Sequence, residues 1–367
     1  MTKLILKKRV LFALLVSGFA CLIIWFHFRC VDHARDTPWL EIDRINDPLI
    51  KEFIESPCIQ RLKEIDQSGP ARYFGQKVAA FSRYEHSIGV LILLRKAGVH
   101  INEQIAGLLH DASHTAFSHT ADFLFASYLK ESAHKGFQDS IHLSFLKRNT
   151  PNLLEKYHLT LEDVDPDNGK YLALEQSLPD MCADRIQYNI HTGIIMKMIK
   201  TKEAREIVGN LRFNGSKWFF LTAEIAKKFA ELSVHFTREF WGAKWNVLMN
   251  VYFSNALKRA IKIGLMTMND VFSTDAKVLN KLLKSEDEII QTNLKLCNDP
   301  STKVKGKRYT AQKYYPKCRG IDPLVQTADG SLVRLSSIDA SFKKKYEDLK
   351  EWCQRGYTME ILMLDKD

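Results

Sequence analysis

Histidine and aspartate are concentrated in one short stretch of this chain, and their spacing could bind a metal ion. The stretch 107–119 reads GLLHDASHTAFSH and follows an apolar run that predicts the end of a helix. Histidine nitrogen and carboxylate oxygen are ligands that suit divalent transition metals and leave positions open for water. We therefore predict one metal site from two residues of this stretch and two distant ones, namely His86, His110, Asp111 and Asp184.

Adjacent residues within a helix point in directions that differ by about 100°. A consecutive His110–Asp111 pair can therefore share one metal most readily where a helix ends, and the Ala-Ser-His that follows fits such an end. His114 lies one turn beyond His110 and on the same face. A His-Asp dipeptide also arises by chance in many proteins, so spacing alone leaves an ordinary core or cap role open.

The elements that must position these residues are predicted to be mainly helical. Asp47 followed by proline is a typical helix start, and a second helix carrying His86 is predicted to end at Gly98. Two β-hairpins are predicted, one around the Asn-Gly turn of 210–222 and one around Asp329-Gly330. We therefore expect a mainly α fold with small β-hairpin additions.

The composition is that of an ordinary globular protein. Of 367 residues, 46% are hydrophobic and 26% are charged, which excludes a disordered or fibrous class. The seven cysteines form no CxxC or zinc pattern, so we expect free thiols, with a Cys297–Cys318 disulfide open in an oxidising compartment.

Positive charge is concentrated in one segment near the carboxyl end. The net charge is +10, and residues 303–319 (KVKGKRYTAQKYYPKCR) carry seven lysines and arginines and no acidic residue. Such a run is typical of a solvated loop. The alternative is a contact with a polyanion such as nucleotide phosphate, nucleic acid or anionic lipid.

The amino-terminal segment predicts a membrane association. Lys7, Lys8 and Arg9 precede an uncharged apolar run over 10–26, which is near the lower limit for spanning a bilayer. We expect residues 1–28 to form a hydrophobic helix that serves as a single-pass membrane anchor, with a signal segment as the alternative and a linker over 29–47. The side of the membrane stays open.

Three motifs together resemble a known family. SRYEHSIGV (82–90), LLHDASHTAFSH (108–119) and DRIQY (184–188) are similar to motifs of the deoxynucleoside triphosphate triphosphohydrolases, the group of bacterial dGTPases and the animal SAM-and-HD-domain dNTPase. These belong to the HD-domain superfamily of metal-dependent phosphohydrolases. The resemblance implies the helical HD-domain fold, with an HD domain over 48–285 and an α+β extension over 286–367 that packs on it.

The resemblance also implies roles for individual residues. The metal ligands would be the four named above, and the metal would be Mn, Fe, Zn or Mg. Thr192 stands where relatives use an aspartate to contact the sugar, so the selectivity for deoxyribose stays open. The implied catalytic residues are His114, Asp122, His134 and His119. The implied substrate-binding residues are Gln67, Arg83, Arg185 and Tyr188.

The predicted activity is hydrolysis of a (deoxy)nucleoside triphosphate to nucleoside and triphosphate, through metal-activated water and a histidine acid or base, with His114 oriented by Asp122. The predicted partners are nucleotide, membrane, a second copy of the chain and, less directly, nucleic acid. Two alternatives remain open. The chain could be another HD phosphohydrolase, a nucleotidase or a cyclic-nucleotide phosphodiesterase, or a non-catalytic, membrane-tethered binder of nucleotide or nucleic acid.

Overall fold

The protein is described by a computed structural model over residues 45–75, 78–126 and 136–363. The predicted anchor (1–28), the linker as far as 44, and His134 lie outside these residues. The predicted fold class is confirmed for the described part, which is mainly helical with two small sheets.

Fifteen α-helices make up most of the described part of the chain. They are α1 (Pro48–Glu55), α2 (Pro57–Gln60), α3 (Arg83–Ala97), α4 (Ile101–Leu109), α5 (Thr120–Leu124), α6 (Phe137–Asn149), α7 (Pro151–Lys156), α8 (Ala183–Ile195), α9 (Thr201–Asn210), α10 (Ala223–Phe236), α11 (Lys244–Lys262), α12 (Asp275–Leu283), α13 (Glu288–Asn298), α14 (Leu335–Ile338) and α15 (Ala340–Arg355).

Two sheets complete the fold. Their strands are β1 (Leu211–Phe213), β2 (Trp218–Phe220), β3 (Tyr309–Tyr314), β4 (Leu324–Gln326), β5 (Leu332–Arg334) and β6 (Tyr357–Leu362). The first sheet has the order β1-β2-β4-β5, in which β2 and β4 are parallel and the outer pairs are the two predicted hairpins. The second sheet pairs β3 with β6 in antiparallel register, which the sequence did not predict.

The predicted helix boundaries near the site follow from local capping. The Asp47 carboxylate accepts hydrogen bonds from the amides of Leu49 (3.0 Å) and Ile50 (3.4 Å) at the start of α1. Ser82 and Glu85 form a capping box at the start of α3. Gly98 ends α3 with φ of 70°, a left-handed conformation that glycine adopts without strain. These caps confirm the predicted start of α1 and end of α3.

Helix α3 lies between α4 and α8 at close range, and two glycines permit this. A Cβ on Gly107 of α4 would lie 2.2 Å from Leu94 Cδ1, and a Cβ on Gly89 of α3 would lie 2.5 Å from Gln187 Nε2 of α8. Both glycines therefore allow helix backbones to approach where a larger residue would force them apart. The three helices supply the predicted metal ligands.

The carboxyl-terminal part of the chain packs into the same core. Ile321, Val325 and Leu335 are buried in one cluster with Phe220 and Phe229. The parallel β2–β4 pair joins the two parts directly. The division at residue 285 stays a prediction.

The expectation of free thiols is confirmed for the described cysteines, and the Cys297–Cys318 disulfide that the sequence left open is not formed. Cys297 is buried, and its thiol lies 3.7 Å from the Met249 carbonyl oxygen. Cys318 instead contacts Cys353 of α15. Among the described cysteines all thiols are free.

The predicted membrane localisation is contradicted. Within residues 45–75, 78–126 and 136–363, no helix combines the length and the apolar character needed to cross a bilayer. The longest helix of this part, α11, carries Lys244, Lys258, Arg259 and Lys262. The prediction of a single-pass membrane protein is therefore wrong.

A buried carboxylate, Asp275 at the start of α12, ties together three distant segments. It accepts hydrogen bonds from the amides of Asp66 (2.9 Å) and Phe117 (2.7 Å) and from the Tyr73 hydroxyl (3.1 Å). Burial raises its pKa to about 6 despite these donors. Phe117 and Ser118 have φ of 60° and 54°, so this contact holds a strained turn beside the predicted site.

Replacing Asp275 with alanine should lower the free energy of unfolding by about 3 kcal/mol, because two amides and a hydroxyl would lose their buried acceptor. Chemical unfolding followed by circular dichroism would measure this. Asp329→Ala is the matched control, because that carboxylate accepts its hydrogen bonds in an exposed turn and its loss should cost about 1 kcal/mol or less. Equal losses in the two variants would contradict the prediction.

Candidate metal centre

Two buried histidines face each other with fixed orientations. His86, in the first turn of α3, places Nδ1 2.5 Å from Gln187 Oε1. His110, which follows the last residue of α4, places Nδ1 2.6 Å from the Gly107 carbonyl oxygen. Both partners are acceptors, so each Nδ1 carries the hydrogen and each Nε2 is left with its lone pair directed inward. The two Nε2 atoms lie only 3.1 Å apart.

Two carboxylates approach the same point. Asp184 Oδ1 lies 2.9 Å from His86 Nε2 and 3.7 Å from His110 Nε2. Asp111 lies 3.5 Å from His110 Nε2 through Oδ1 and 3.7 Å from His86 Nε2 through Oδ2. Four acceptor atoms from three helix segments thus converge. A divalent cation fits this donor set, since it satisfies lone pairs that would otherwise repel one another.

The pKa values of these groups agree with a site that attracts a cation. Burial acts to lower the pKa of His110, but the charges of Asp111 and Asp184 outweigh it and raise the pKa to about 9. Burial acts to raise the pKa of Asp111, yet the charges of Arg83 and His110 hold it well below its usual value. Without a metal, the cluster therefore binds a proton at His110, which shows a negative field that attracts positive charge.

Gln187 is a positioning residue that sequence reasoning missed. It is fully buried, accepts from His86, and lies 3.3 Å from His191 Nδ1 through Nε2. His191 in turn stacks on Phe81 at a ring distance of 3.9 Å. Gln187 is three residues after Asp184 on the same helix face, and that spacing is the signal that could have identified it.

Helix α6 closes the turn that follows His110. Gln138 Nε2 donates to the His110 carbonyl oxygen at 2.7 Å and lies 3.0 Å from Ser113 Oγ. His142 Nδ1 lies 2.9 Å from the same hydroxyl. These contacts hold the 110–114 backbone in place, and they join segments whose proximity no sequence pattern indicates.

Arg83 is 2% exposed, and one of its donors lacks a partner. Its Nη1 donates to Asp111 Oδ2 at 2.7 Å and its Nε to Ser118 Oγ at 2.9 Å. Nη2 is buried without a hydrogen bond in the described part of the chain. A buried unpaired guanidinium nitrogen is a costly feature, and it offers a donor to an anion beside the metal centre.

The predicted pairing of His114 with Asp122 does not occur. His114 is buried, and its Nε2 lies 3.2 Å from Asp111 Oδ1, while its Nδ1 has no described partner. Burial lowers the pKa of His114 to about 3. Asp122 instead pairs with His119 at 3.2 Å, because the two are three residues apart at the start of α5.

The His119–Asp122 pair lies at the rim of the site. The His119 side chain is 52% exposed, and its ring lies 5.1 Å from that of His114. Burial acts to raise the pKa of Asp122, but the hydrogen bond from His119 outweighs it and lowers the pKa to about 2. Phe137 also donates its amide to Asp122 at 2.8 Å. The carboxylate is thus fixed and charged.

The predicted substrate residues differ in their surroundings. Arg185 donates to the carbonyl oxygens of Gln176 (2.6 Å) and Asp180 (3.2 Å), so much of its donor capacity is used by the chain. Tyr188 is buried under Trp241 with its hydroxyl unpaired in the described structure. Gln67 likewise has a buried Oε1 without a described partner.

A second group of possible metal ligands shares Asp184. Glu175, Cys182 and Asp184 each place one ligand atom within 4.8 Å of the others. Arg185 Nη2 lies 3.5 Å from Glu175 Oε2, so a cation already neutralises part of this group. The His86–His110–Asp111 group also has a cation, Arg83, at 2.7 Å from Asp111. It is the better fit for a metal because two imidazole nitrogens with inward lone pairs converge there.

Comparison with known proteins finds a matching family model and a relative that spans most of the chain. The sequence model of the HD domain matches residues 83–176. The uncharacterized protein YdhJ of Bacillus subtilis is 31% identical over 316 residues, which cover 86% of this chain and 95% of YdhJ. The matched HD segment carries His86, His110 and Asp111.

Other similarities are weaker or shorter. The metal-dependent phosphohydrolase cns2 of Cordyceps militaris is 29% identical over 46% of this chain and 47% of its own. The deoxynucleoside triphosphate triphosphohydrolase SAMHD1 of Danio rerio is 39% identical over 21% of this chain and 15% of its own. A crystal structure of a phosphohydrolase from Bacteroides thetaiotaomicron covers 87% of this chain with a TM-score of 0.65 and 14% identity, which shows a shared fold.

Replacing Gly89 with alanine should weaken metal binding about 10- to 100-fold, because the new Cβ would displace Gln187 and release His86. Gln187→Ala should have the same effect. Metal content after dialysis, measured by elemental analysis, would test both. Gly209→Ala is the control, since a Cβ there meets nothing within 4 Å; a full metal complement in Gly89→Ala and Gln187→Ala would contradict the role of Gln187.

Proposed function

The chain belongs to the HD-domain superfamily of metal-dependent phosphohydrolases, and from this membership we propose that it hydrolyses a (deoxy)nucleoside triphosphate to nucleoside and triphosphate. The observation that carries the proposal is the convergence of two histidines and two aspartates beside Arg83, which is buried and has a free donor. The motif resemblance supports the substrate class.

We propose His86, His110, Asp111 and Asp184 as the residues that hold the metal. When bound, a divalent metal supplies an activated water and neutralises charge on the phosphoryl group. Gln187 and the Gly107 carbonyl keep both imidazoles in the tautomer that binding requires.

Arg83 is proposed to bind the phosphate next to the metal ligands. Its Nη1 is held by Asp111, so the guanidinium plane is fixed and Nη2 is directed without a competing acceptor. A phosphate oxygen would supply the missing partner through a charge-assisted hydrogen bond. Binding the substrate would thus relieve an unpaired buried donor.

Two histidines are proposed to move protons. His114 donates Nε2–H to Asp111, so it is neutral and its Nδ1 is available as an acceptor. His119 is held by Asp122 through Nδ1, which leaves Nε2 for the leaving oxygen. Gln67 and Tyr188, with their unpaired buried polar atoms, are proposed to contact the nucleoside.

The double variant His110→Ala/Asp111→Ala should lose both bound metal and turnover, because two of the four ligands are gone. The assay is separation of products from a panel of deoxynucleoside and nucleoside triphosphates, with inorganic tripolyphosphate as the diagnostic product. Wild-type protein that releases only phosphate or pyrophosphate would refute the proposed reaction, and an active metal-free variant would refute the metal site.

Replacing His114 with alanine should lower kcat about 100-fold or more while metal content is kept, because a proton-transfer group is lost. His235→Ala is the control, since that histidine is exposed and lies in α10. A variant at position 114 with unchanged kcat would exclude proton transfer by this residue.

A second candidate function is supported by the Glu175–Cys182–Asp184 group. Two metals that share Asp184 would suit a phosphodiesterase, in which the attacking and leaving oxygens are stabilised by different ions. Metal stoichiometry separates the two: one ion per chain agrees with the triphosphohydrolase, and two ions with hydrolysis of a cyclic nucleotide agree with the alternative.

A further inference from the structure

We propose that Lys317 and Arg319, at the end of the basic segment, bind the terminal phosphates of the triphosphate substrate. This inference rests on the proposed function and assigns a role to a segment outside the three motifs. The two residues would add cations that the metal centre and Arg83 do not supply.

The chain path brings this segment to the site. It leaves β3 at Tyr314, and Pro316 packs so closely on Gly242 that a Cβ there would lie 3.0 Å from Pro316 Cβ. Ile321 then donates its amide to Ser233 Oγ at 3.0 Å. The segment therefore crosses the end of α10 close to Trp241, whose ring contacts Tyr188 at 4.8 Å.

Electrostatic interactions indicate that Lys317 and Arg319 lie near residues on two sides of the site. Burial raises the pKa of Tyr188 on α8 and of Tyr314, and the charge of Arg319 acts to lower both. The charge of Asp122 acts to raise the pKa of Tyr314. The pKa of Lys317 is affected by the charges of Asp139 on α6, of Glu175 and of Arg185 on α8. Together with the backbone contacts of Pro316 and Ile321, these interactions indicate that the segment runs between the His119–Asp122 rim and the Asp184 helix.

The surroundings of Lys317 disfavour its positive charge. The charge of Arg319 is the first cause that lowers the pKa of Lys317, followed by burial, and Arg185 adds to the effect. Neither Lys317 nor Arg319 forms an ion pair with a carboxylate in the described part of the chain. The carboxylates Asp139 and Glu175 act on the pKa of Lys317 in the opposite direction without pairing with it, and an anion bound between Lys317 and Arg319 would relieve the repulsion between these two cations.

The backbone that carries the two cations is anchored. The Cys353 thiol of α15 is hydrogen-bonded to Cys318, and this contact lowers the pKa of Cys318 to about 7. A Cβ on Gly320 would lie 2.6 Å from Leu349 of the same helix. The backbone at Lys317 and Arg319 is therefore held in place before substrate binds, which lowers the ordering cost of binding.

Charge balance gives the reason for additional cations. A triphosphate carries about four negative charges. A divalent metal, Arg83 and the two carboxylates Asp111 and Asp184 would together carry only one net positive charge. Lys303, at the other end of the basic segment, is paired with Glu360 at 2.7 Å, so the unpaired charge near the site is at 317–319.

The test compares Lys317→Gln/Arg319→Gln with the control Lys305→Gln/Lys313→Gln, which removes the same charge from exposed positions of the same segment. The first variant should raise KM for the triphosphate about tenfold or more with little change in kcat, because each charge-assisted hydrogen bond contributes to ground-state binding. Calorimetry should show the same loss of affinity for inorganic tripolyphosphate.

Three results separate the explanations. If wild-type protein releases triphosphate and the two double variants behave alike, the inference is wrong and the proposed function stands. If no nucleotide yields triphosphate but the 317/319 variant alone loses tripolyphosphate binding, the phosphate site stands and the proposed function fails. If that variant loses affinity only for a single-stranded oligonucleotide, the segment binds nucleic acid and the inference is wrong.

Discussion

The nitrogen lone pairs of His86 and His110 point at each other across 3.1 Å, and each ring is held there by a hydrogen bond on its other nitrogen. Two carboxylates face the same point. Four acceptors at such range repel one another unless a cation lies among them. The rest of the site can be understood as the structure needed to hold this arrangement together: a glutamine and a carbonyl fix the rings, and a buried arginine balances one carboxylate.

Close helix packing is what allows these ligands to meet. Gly89 and Gly107 let α3 approach α8 and α4, and Asp275 fixes the strained turn after His114. The substrate side is built differently. Arg83 has a buried nitrogen without a partner in the described part of the chain, and Lys317 and Arg319 form no close ion pair there, so both would be stabilised when an anion binds. A negatively charged metal site and a positively charged surround thus lie within one region of the fold.

The features that depend on neighbouring residues were predicted correctly from the sequence. The Asp47 cap, the Gly98 stop and both hairpins depend on neighbouring residues, and they were readable from the sequence. The four proposed ligands, which the sequence suggested because the chemistry of a metal restricts the residue types, also lie together in the structure. The pairing of Asp122 with His119, the β3–β6 sheet and the approach of Lys317 depend on contacts between distant segments, which no short pattern records. The membrane localisation was wrong because it extrapolated from an apolar run outside the described residues.

The strand order of the first sheet bears on the order in which the chain can fold during synthesis. Strand β4, from the last fifty or so residues, lies beside β2 and completes a core that also contains Phe220 and Phe229. During synthesis, the helix segments that carry the four proposed ligands leave the ribosome before this strand and before Lys317 and Arg319. The first sheet can therefore form only after those helix segments are available to pack against it.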